Sequence, residues 1–169
     1  MIKNIKDQNG YSLIEMSIVM LLLVIFSLGV FILAAASTTT YESLVEKKAE
    51  SEDLRIASSY LVTKIRQNDR LGGIRIDRST LENKEALVIV ESIEEEIYET
   101  WIYLSEGILR EVTILEGAVP SDDLSFEIAS IDSFEINGLN KALTIQINKG
   151  DTVLPDIEVT LKSDIEIIE

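Results

Sequence analysis

From Met16 to Ala36 the chain runs for 21 residues without a charge, and this stretch limits its fold more than any other feature. At about 1.5 Å per residue a helix of that length covers roughly 30 Å, the thickness of a bilayer core. Thirteen of these residues are Leu, Ile, Val or Phe. At about 0.3–0.6 kcal/mol each they favour insertion by roughly 4–8 kcal/mol, more than the roughly 2.5–3.5 kcal/mol that one carboxylate costs near a helix centre. That carboxylate is Glu15, standing at the head of the run behind a polar leader that ends in Gly10.

Two simpler readings compete for the same segment. Ala34-Ala35-Ala36 followed by Ser37 satisfies the small-residue pattern of a secretory signal, although signal cores normally run only about 7–15 residues. The other is a plain signal anchor holding an extracytoplasmic binding or regulatory module. It explains the apolar run but leaves Gly10 and Glu15 without a role. Lysine counting does not orient the span, because Lys3 and Lys6 precede it and Lys47 and Lys48 follow it. Size does: a long folded tail generally crosses whatever its charge. The N-terminus is expected inside and the C-terminal domain outside the cytoplasmic membrane.

The chain contains no cysteine and no histidine. Ser-His-Asp and Cys-His catalysis are thereby excluded, as are Cys/His zinc sites and a histidine switch near neutral pH. The formal net charge of −15 is uneven. Residues 41–80 carry seven acids and eight bases, net +1, whereas residues 81–169 carry 21 acids and five bases, net −16. So acidic a surface disfavours nucleic acid and anionic headgroups; no nucleic-acid contact is expected. Glu94-Glu95-Glu96 and Ser121-Asp122-Asp123 are acidic enough to attract calcium, but both read as solvated charge runs, and no metal site or cofactor is expected.

Beyond the polar Ser37-Thr38-Thr39-Thr40 link, Leu54, Ala57, Leu61 and Ile65 recur at spacings of three, four and four, one apolar helical stripe. Gly72-Gly73 supplies a stop. The simplest picture is one helix from about Tyr11 to Asp69, which would extend about 90 Å. After Gly73 the period changes. Ala86 to Val90 reads as a buried strand, and Glu96–Leu104, Ser105-Glu106-Gly107 and Ile108–Leu115 as a hairpin with a three-residue connection. Further strand material lies in Phe126–Ile136. Asn137-Gly138 signals a turn, followed by alternation at Leu143, Ile145 and Ile147; a second turn at Lys149-Gly150-Asp151 precedes Ile157, Val159 and Leu161. On the 96–104 strand Trp101 and Tyr103 share a face and Tyr98 takes the other, with core packing as their expected role. The fold class is α+β: a long N-terminal helix packed on an antiparallel sheet. The expected divisions are a leader (1–10), a transmembrane or assembly helix (11–36), an exported amphipathic helix (37–71) and a β domain (72–169).

These residues resemble a known family. A short basic leader ending in glycine, an aromatic residue next, then glutamate four positions later at the head of an apolar helix is the arrangement of type IV pilins and of the pseudopilins of type II secretion and competence. More loosely, Ile56–Asp69 (IASSYLVTKIRQND), Gly72-Gly73 and the Tyr98-to-Arg110 hairpin with Trp101, Tyr103 and Leu109-Arg110 are similar to minor subunits of such filaments. The resemblance implies that a membrane prepilin peptidase cuts between Gly10 and Tyr11 and methylates the new amine of Tyr11. It implies that Glu15 sets register against the amine of an adjacent subunit. The partners would be membrane lipid, the peptidase and other pilin or pseudopilin subunits. The role would be structural rather than enzymatic, ending in an extracellular or cell-envelope filament. In this chain Tyr11 stands where phenylalanine is usual, and no proline interrupts the apolar helix.

Overall fold

The computed structural model describes residues 9–82 and 84–168, the side chains at 9–12 and 37–43 excepted. The leader residues before Asn9, including Lys3 and Lys6, lie outside it. The chain divides into a unit ending at Glu46 and a unit Lys47–Glu169. Helix α1 (Asn9–Gln67) supplies the first unit and the opening of the second.

In the second unit the predicted stripe is the core. Leu54, Ala57, Leu61 and Ile65 have no exposed surface, and they form one apolar cluster with Ile76, Leu87 and Ile102 and with Ile136, Leu143 and Ile145. The helix ends earlier than the glycine pair. The Asn68 N–H is shared between the carbonyls of Lys64 and Ile65 at 3.2 Å, and its side-chain amide donates to Lys64 O at 3.0 Å, satisfying carbonyls that the last turn would leave unpaired. Gly72-Gly73 instead makes the reversal into the sheet. A Cβ on Gly73 would lie 2.6 Å from both Asn68 O and Arg70 Cγ.

The strands are β1 (Ile74–Asp77), β2 (Ala86–Ile93), β3 (Glu96–Ser105), β4 (Ile108–Leu115), β5 (Phe126–Ser130), β6 (Ser133–Leu139), β7 (Ala142–Lys149), β8 (Thr152–Val153), β9 (Ile157–Thr160) and β10 (Glu166–Ile168). The expected single antiparallel sheet is in fact two. One has the order β10-β1-β2-β3-β4-β5; the other has β6-β7-β8, with β9 also paired to β7. The division falls at Ile131-Asp132, where Ile131 N–H bonds Gly107 O in the first sheet and Asp132 N–H bonds Asn148 O in the second. Pairing is antiparallel except that β10 runs parallel to β1.

Ala86–Val90 lies at the heart of the first sheet as expected, with Ala86 through Ile89 buried on both faces. The β3–β4 hairpin is also present. Its loop is two residues, Glu106-Gly107, because Ser105 pairs with Ile108; the loop residues have φ of 52° and 75°, as the right-handed strand twist requires. Asn137-Gly138 is not a turn. Both residues lie inside β6, paired with Thr144 and Leu143, and the reversal comes at Asn140-Lys141, where Asn140 takes φ 54°. Gly138 serves a close approach, since a Cβ there would sit 2.9 Å from Ile76 Cδ1 and 3.2 Å from Ile165 Cγ2. The turn at Lys149-Gly150-Asp151 is present between β7 and β8.

Candidate functional site

Gly10 and Tyr11 lie in the first turn of α1. Glu15 follows Tyr11 by four residues, about one turn along the same helix. Glu15 is exposed and, among the described residues, has no hydrogen-bond or ion-pair partner. Ser17 Oγ turns its donor inward to Leu13 O at 2.9 Å, so the helix carries this hydroxyl at no polar cost. From Leu13 to Ala36 the mean hydropathy is 3.1 and none of the segment is buried. Phe31 is 73% and Val19 49% exposed. Twenty-four residues of open apolar surface far exceed what a soluble monomer leaves to water. Lipid or other apolar helices must cover it.

The second unit holds two polar groupings that no sequence motif announces. Glu99, Trp101, Tyr103 and Ser105 are alternate residues of β3, so they share the face turned away from α1. Trp101 and Tyr103 are buried there with Ala86, Val88 and Val112, in the core role expected of them. Arg75 bonds Glu99 at 2.8 Å, Trp101 Nε1 donates to the other Glu99 oxygen at 3.1 Å, and the guanidinium lies 5.6 Å from the indole centroid. At the other end of β3, Tyr103 OH donates to Asp122 Oδ1 at 2.8 Å and Ser105 Oγ to Asp122 Oδ2, while Lys84 Nζ donates to Ser105 Oγ at 2.9 Å. A serine beside a lysine is the raw material of a nucleophile. Here Ser105 is only 2% exposed and its proton is directed to Asp122, so the arrangement fastens the end of β3 to the Asp122–Leu124 turn. The only signal available beforehand was the period-two alternation of β3, because the partners come from positions 17 to 21 residues away.

This fastening sets a pH window. The Ser105 hydrogen bond, with that of Tyr103, holds the Asp122 carboxyl below its ordinary 3.8. Burial first, then the Asp122 hydrogen bond, pushes the Tyr103 phenol from 10.0 up to about 12. A depressed carboxyl contributes stability that is present above its unfolded pKa and lost as pH falls through the folded one. A raised phenol makes the folded state hold its proton longer, so stability falls as pH climbs from about 10 to 12. Chemical denaturation midpoints should therefore decline below about pH 4 and above about pH 10. Ser105→Ala should flatten the acid limb and Tyr103→Phe the alkaline one; unchanged limbs would remove this account.

Neither acidic cluster forms a common site. Glu94 and Glu95 are the two turn residues between β2 and β3, with φ of 50° and 72°, and Asp122 is engaged as described. Glu85 is occupied in joining the sheets. It bonds Arg78 at 2.8 Å and accepts Ile136 N–H at 2.9 Å, while Arg78 donates to Ile136 O at 2.9 Å. Together they cap the β6 backbone beside the first sheet.

Residues 5–31 match the prokaryotic N-terminal methylation motif, a type IV pilin-like signal spanning Gly10, Tyr11 and Glu15. Residues 52–150 match the family described as a domain of unknown function, DUF4860. No curated protein and no solved structure matches the chain. The second match begins two residues before the buried helical stripe and ends just after β7, so it takes in that part of α1, strands β1 to β5 of the first sheet and β6 and β7 of the second, and leaves out β8, β9 and β10. With more than half of its length in that match, the chain belongs to the DUF4860 family and bears a pilin-like methylation signal at its head.

Proposed function

We propose that this protein is a minor pilin or pseudopilin, a structural subunit of a type IV pilus, type II secretion or competence filament. The observation that carries the reading is the juxtaposition on one helix of Gly10-Tyr11, Glu15 and a fully exposed apolar segment, Leu13–Ala36. The methylation motif supports it. The chain waits in the membrane as a single-pass protein with its sheet unit outside. A prepilin peptidase then removes residues 1–10, and glycine at the cut lets the protease approach the backbone without a Cβ in the way. Cleavage converts the amide of Tyr11 into an amine, a group that ordinarily titrates at about pH 7.7–8.0 and that methylation leaves basic. That cation is a partner for the exposed Glu15, which has none among the described residues, and in a filament it is offered by the neighbouring subunit. The remaining divisions follow: 11–36 packs in lipid and then among subunits, 37–71 leads out of the membrane, and 72–169 presents contacts to partners.

The test is the mature terminus. Mass spectrometry of the protein from its native membranes should find a methylated Tyr11 as the first residue. A chain beginning at Met1 or at Ser37 would overturn the reading, in favour of a signal-anchored module or a secreted protein respectively.

A further inference from the structure

The second unit carries two exposed surfaces of opposite character. β1 begins with Ile74 opposite Ile89, and Val90 N–H already bonds Gly73 O in the preceding loop. The β2–β3 hairpin therefore projects beyond β1 from Glu91 onward. On that projection Ile93 is 52%, Ile97 37% and neighbouring Leu115 49% exposed. Around them stand Glu91, Glu94, Glu95 and Glu96, joined by Glu116, whose N–H bonds Ile97 O. Arg70 reaches Glu91 at 3.5 Å, which leaves the tip strongly negative and partly apolar.

The outward face of α1 has the reverse sign. Lys48, Glu52, Arg55, Ser59, Thr63 and Arg66 follow one another at spacings of four, three, four, four and three, and all are exposed, as one helix face requires. Between them Ile56, 49% exposed, and Tyr60 floor a shallow groove walled by Glu52, Arg55, Ser59 and Thr63. The other charges on this stretch face the sheets: Asp53 pairs with Lys149, Lys64 with Glu111, and Glu50 accepts from Thr152. What remains outward is three bases against one acid, in a chain whose net charge is −15.

We propose that these surfaces meet between two copies of the chain. The Glu94-Glu95 tip of one copy seats in the α1 groove of the next, with Ile93 and Leu115, which the register places on one face of the sheet, on Ile56 and Tyr60, and its carboxylates against Arg55 and Arg66. The two surfaces are different parts of the same unit, so each copy uses one and offers the other; such a head-to-tail contact continues along a row unless its rotation closes a ring. It depends on the filament reading only for holding copies side by side, and it is separate from the Glu15 pairing.

The absence of cysteine gives a direct test with the full chain in lipid vesicles. Chains carrying Glu95→Cys are mixed with chains carrying Ser59→Cys and oxidised; Glu158→Cys, an exposed position of β9, replaces Glu95→Cys in the control. The expected result is a disulfide dimer from the first pair and none from the control. Arg55→Glu/Arg66→Glu in the groove chain should lower the yield about tenfold, and adding Glu94→Lys to the tip chain should restore it. Should the double reversal fail to fold by circular dichroism, Arg55→Gln serves in its place, with about a threefold loss. No dimer from the first pair, an equal dimer from the control, or indifference to charge reversal each overturns the contact. Mass spectrometry of the Tyr11 terminus in native membranes is read separately. Processing without the cross-link defeats this inference alone, and the cross-link without processing defeats only the pilin reading.

Discussion

Glu15→Ala should leave the protein in the membrane and remove it from assembled filaments. The two effects separate because they draw on different interactions. Insertion rests on the thirteen Leu, Ile, Val and Phe residues of the Met16–Ala36 run, and deleting a carboxylate at its head can only help. Assembly, in the proposed reading, draws on the attraction between Glu15 and the Tyr11 amine of a neighbour. At about 4 Å and an effective dielectric near 20 that attraction is roughly 4 kcal/mol before desolvation is subtracted. Even half of it would change incorporation by more than tenfold. Glu15→Asp keeps the charge on a shorter stem and should fall between the two. Raising the pH beyond about 8 should progressively weaken incorporation of the wild-type chain, since the unpaired amine then loses its proton and pairing must restore it. Fractionation of membranes and sheared filaments reads both quantities at once; alanine variants found in filaments at wild-type levels would end the register role.

Trp101→Ala should destabilise the sheet unit by about 3–5 kcal/mol, the cost of emptying a buried aromatic site. Against a typical domain stability of about 5–15 kcal/mol, that is a large share. The loss has two parts. Trp101 is 2% exposed and fills the far face of the first sheet with Ala86, Val88, Tyr103 and Val112. Its Nε1 also holds one oxygen of Glu99, while Arg75 holds the other. Removing the indole leaves a buried carboxylate with one partner fewer, and removes the ring beneath the guanidinium. Trp101→Phe should separate the parts, keeping most of the packing and losing about 1–2 kcal/mol with the hydrogen bond. Phe126, an aromatic of the same unit left 77% exposed, provides the contrast: Phe126→Ala should stay within about 0.5 kcal/mol. Urea titration followed by circular dichroism measures all three. Equal midpoints for the Trp101→Ala and Phe126→Ala variants would mean that the far face contributes little.

What could be read ahead of the structure was whatever a residue shares with its near neighbours in the chain. The membrane segment is a matter of length and hydropathy over consecutive residues. The Leu54, Ala57, Leu61 and Ile65 stripe is a period of 3.6, and all four are fully buried. The Ala86–Val90 strand followed from a short continuous apolar run, and the Glu96–Leu115 hairpin from two strand-like runs with a glycine at the reversal. The pilin-like motif is likewise local, six residues from Gly10 to Glu15 that carry their meaning in their order.

Other features were decided by residues far apart. Asn137-Gly138 has the composition of a turn, yet the glycine is required because Ile76 and Ile165 press on β6, and no local pattern records that pressure. The parallel seat of β10 on β1 joins positions about 90 residues apart. The cut between β5 and β6 depends on carbonyls at Gly107 and Asn148 that accept the two successive N–H groups. Asp122 looked like part of a solvated charge run until β3 brought Tyr103 and Ser105 to it. Sequence alone determined the anchor, the processing signal, the buried helix face and the α+β class, since each depends on periodicity or order along a short stretch. Tertiary structure alone decided the two-sheet division, the true purpose of Gly138 and the polar fastenings of β3, because hydrogen bonds and steric contacts answer to distance in space.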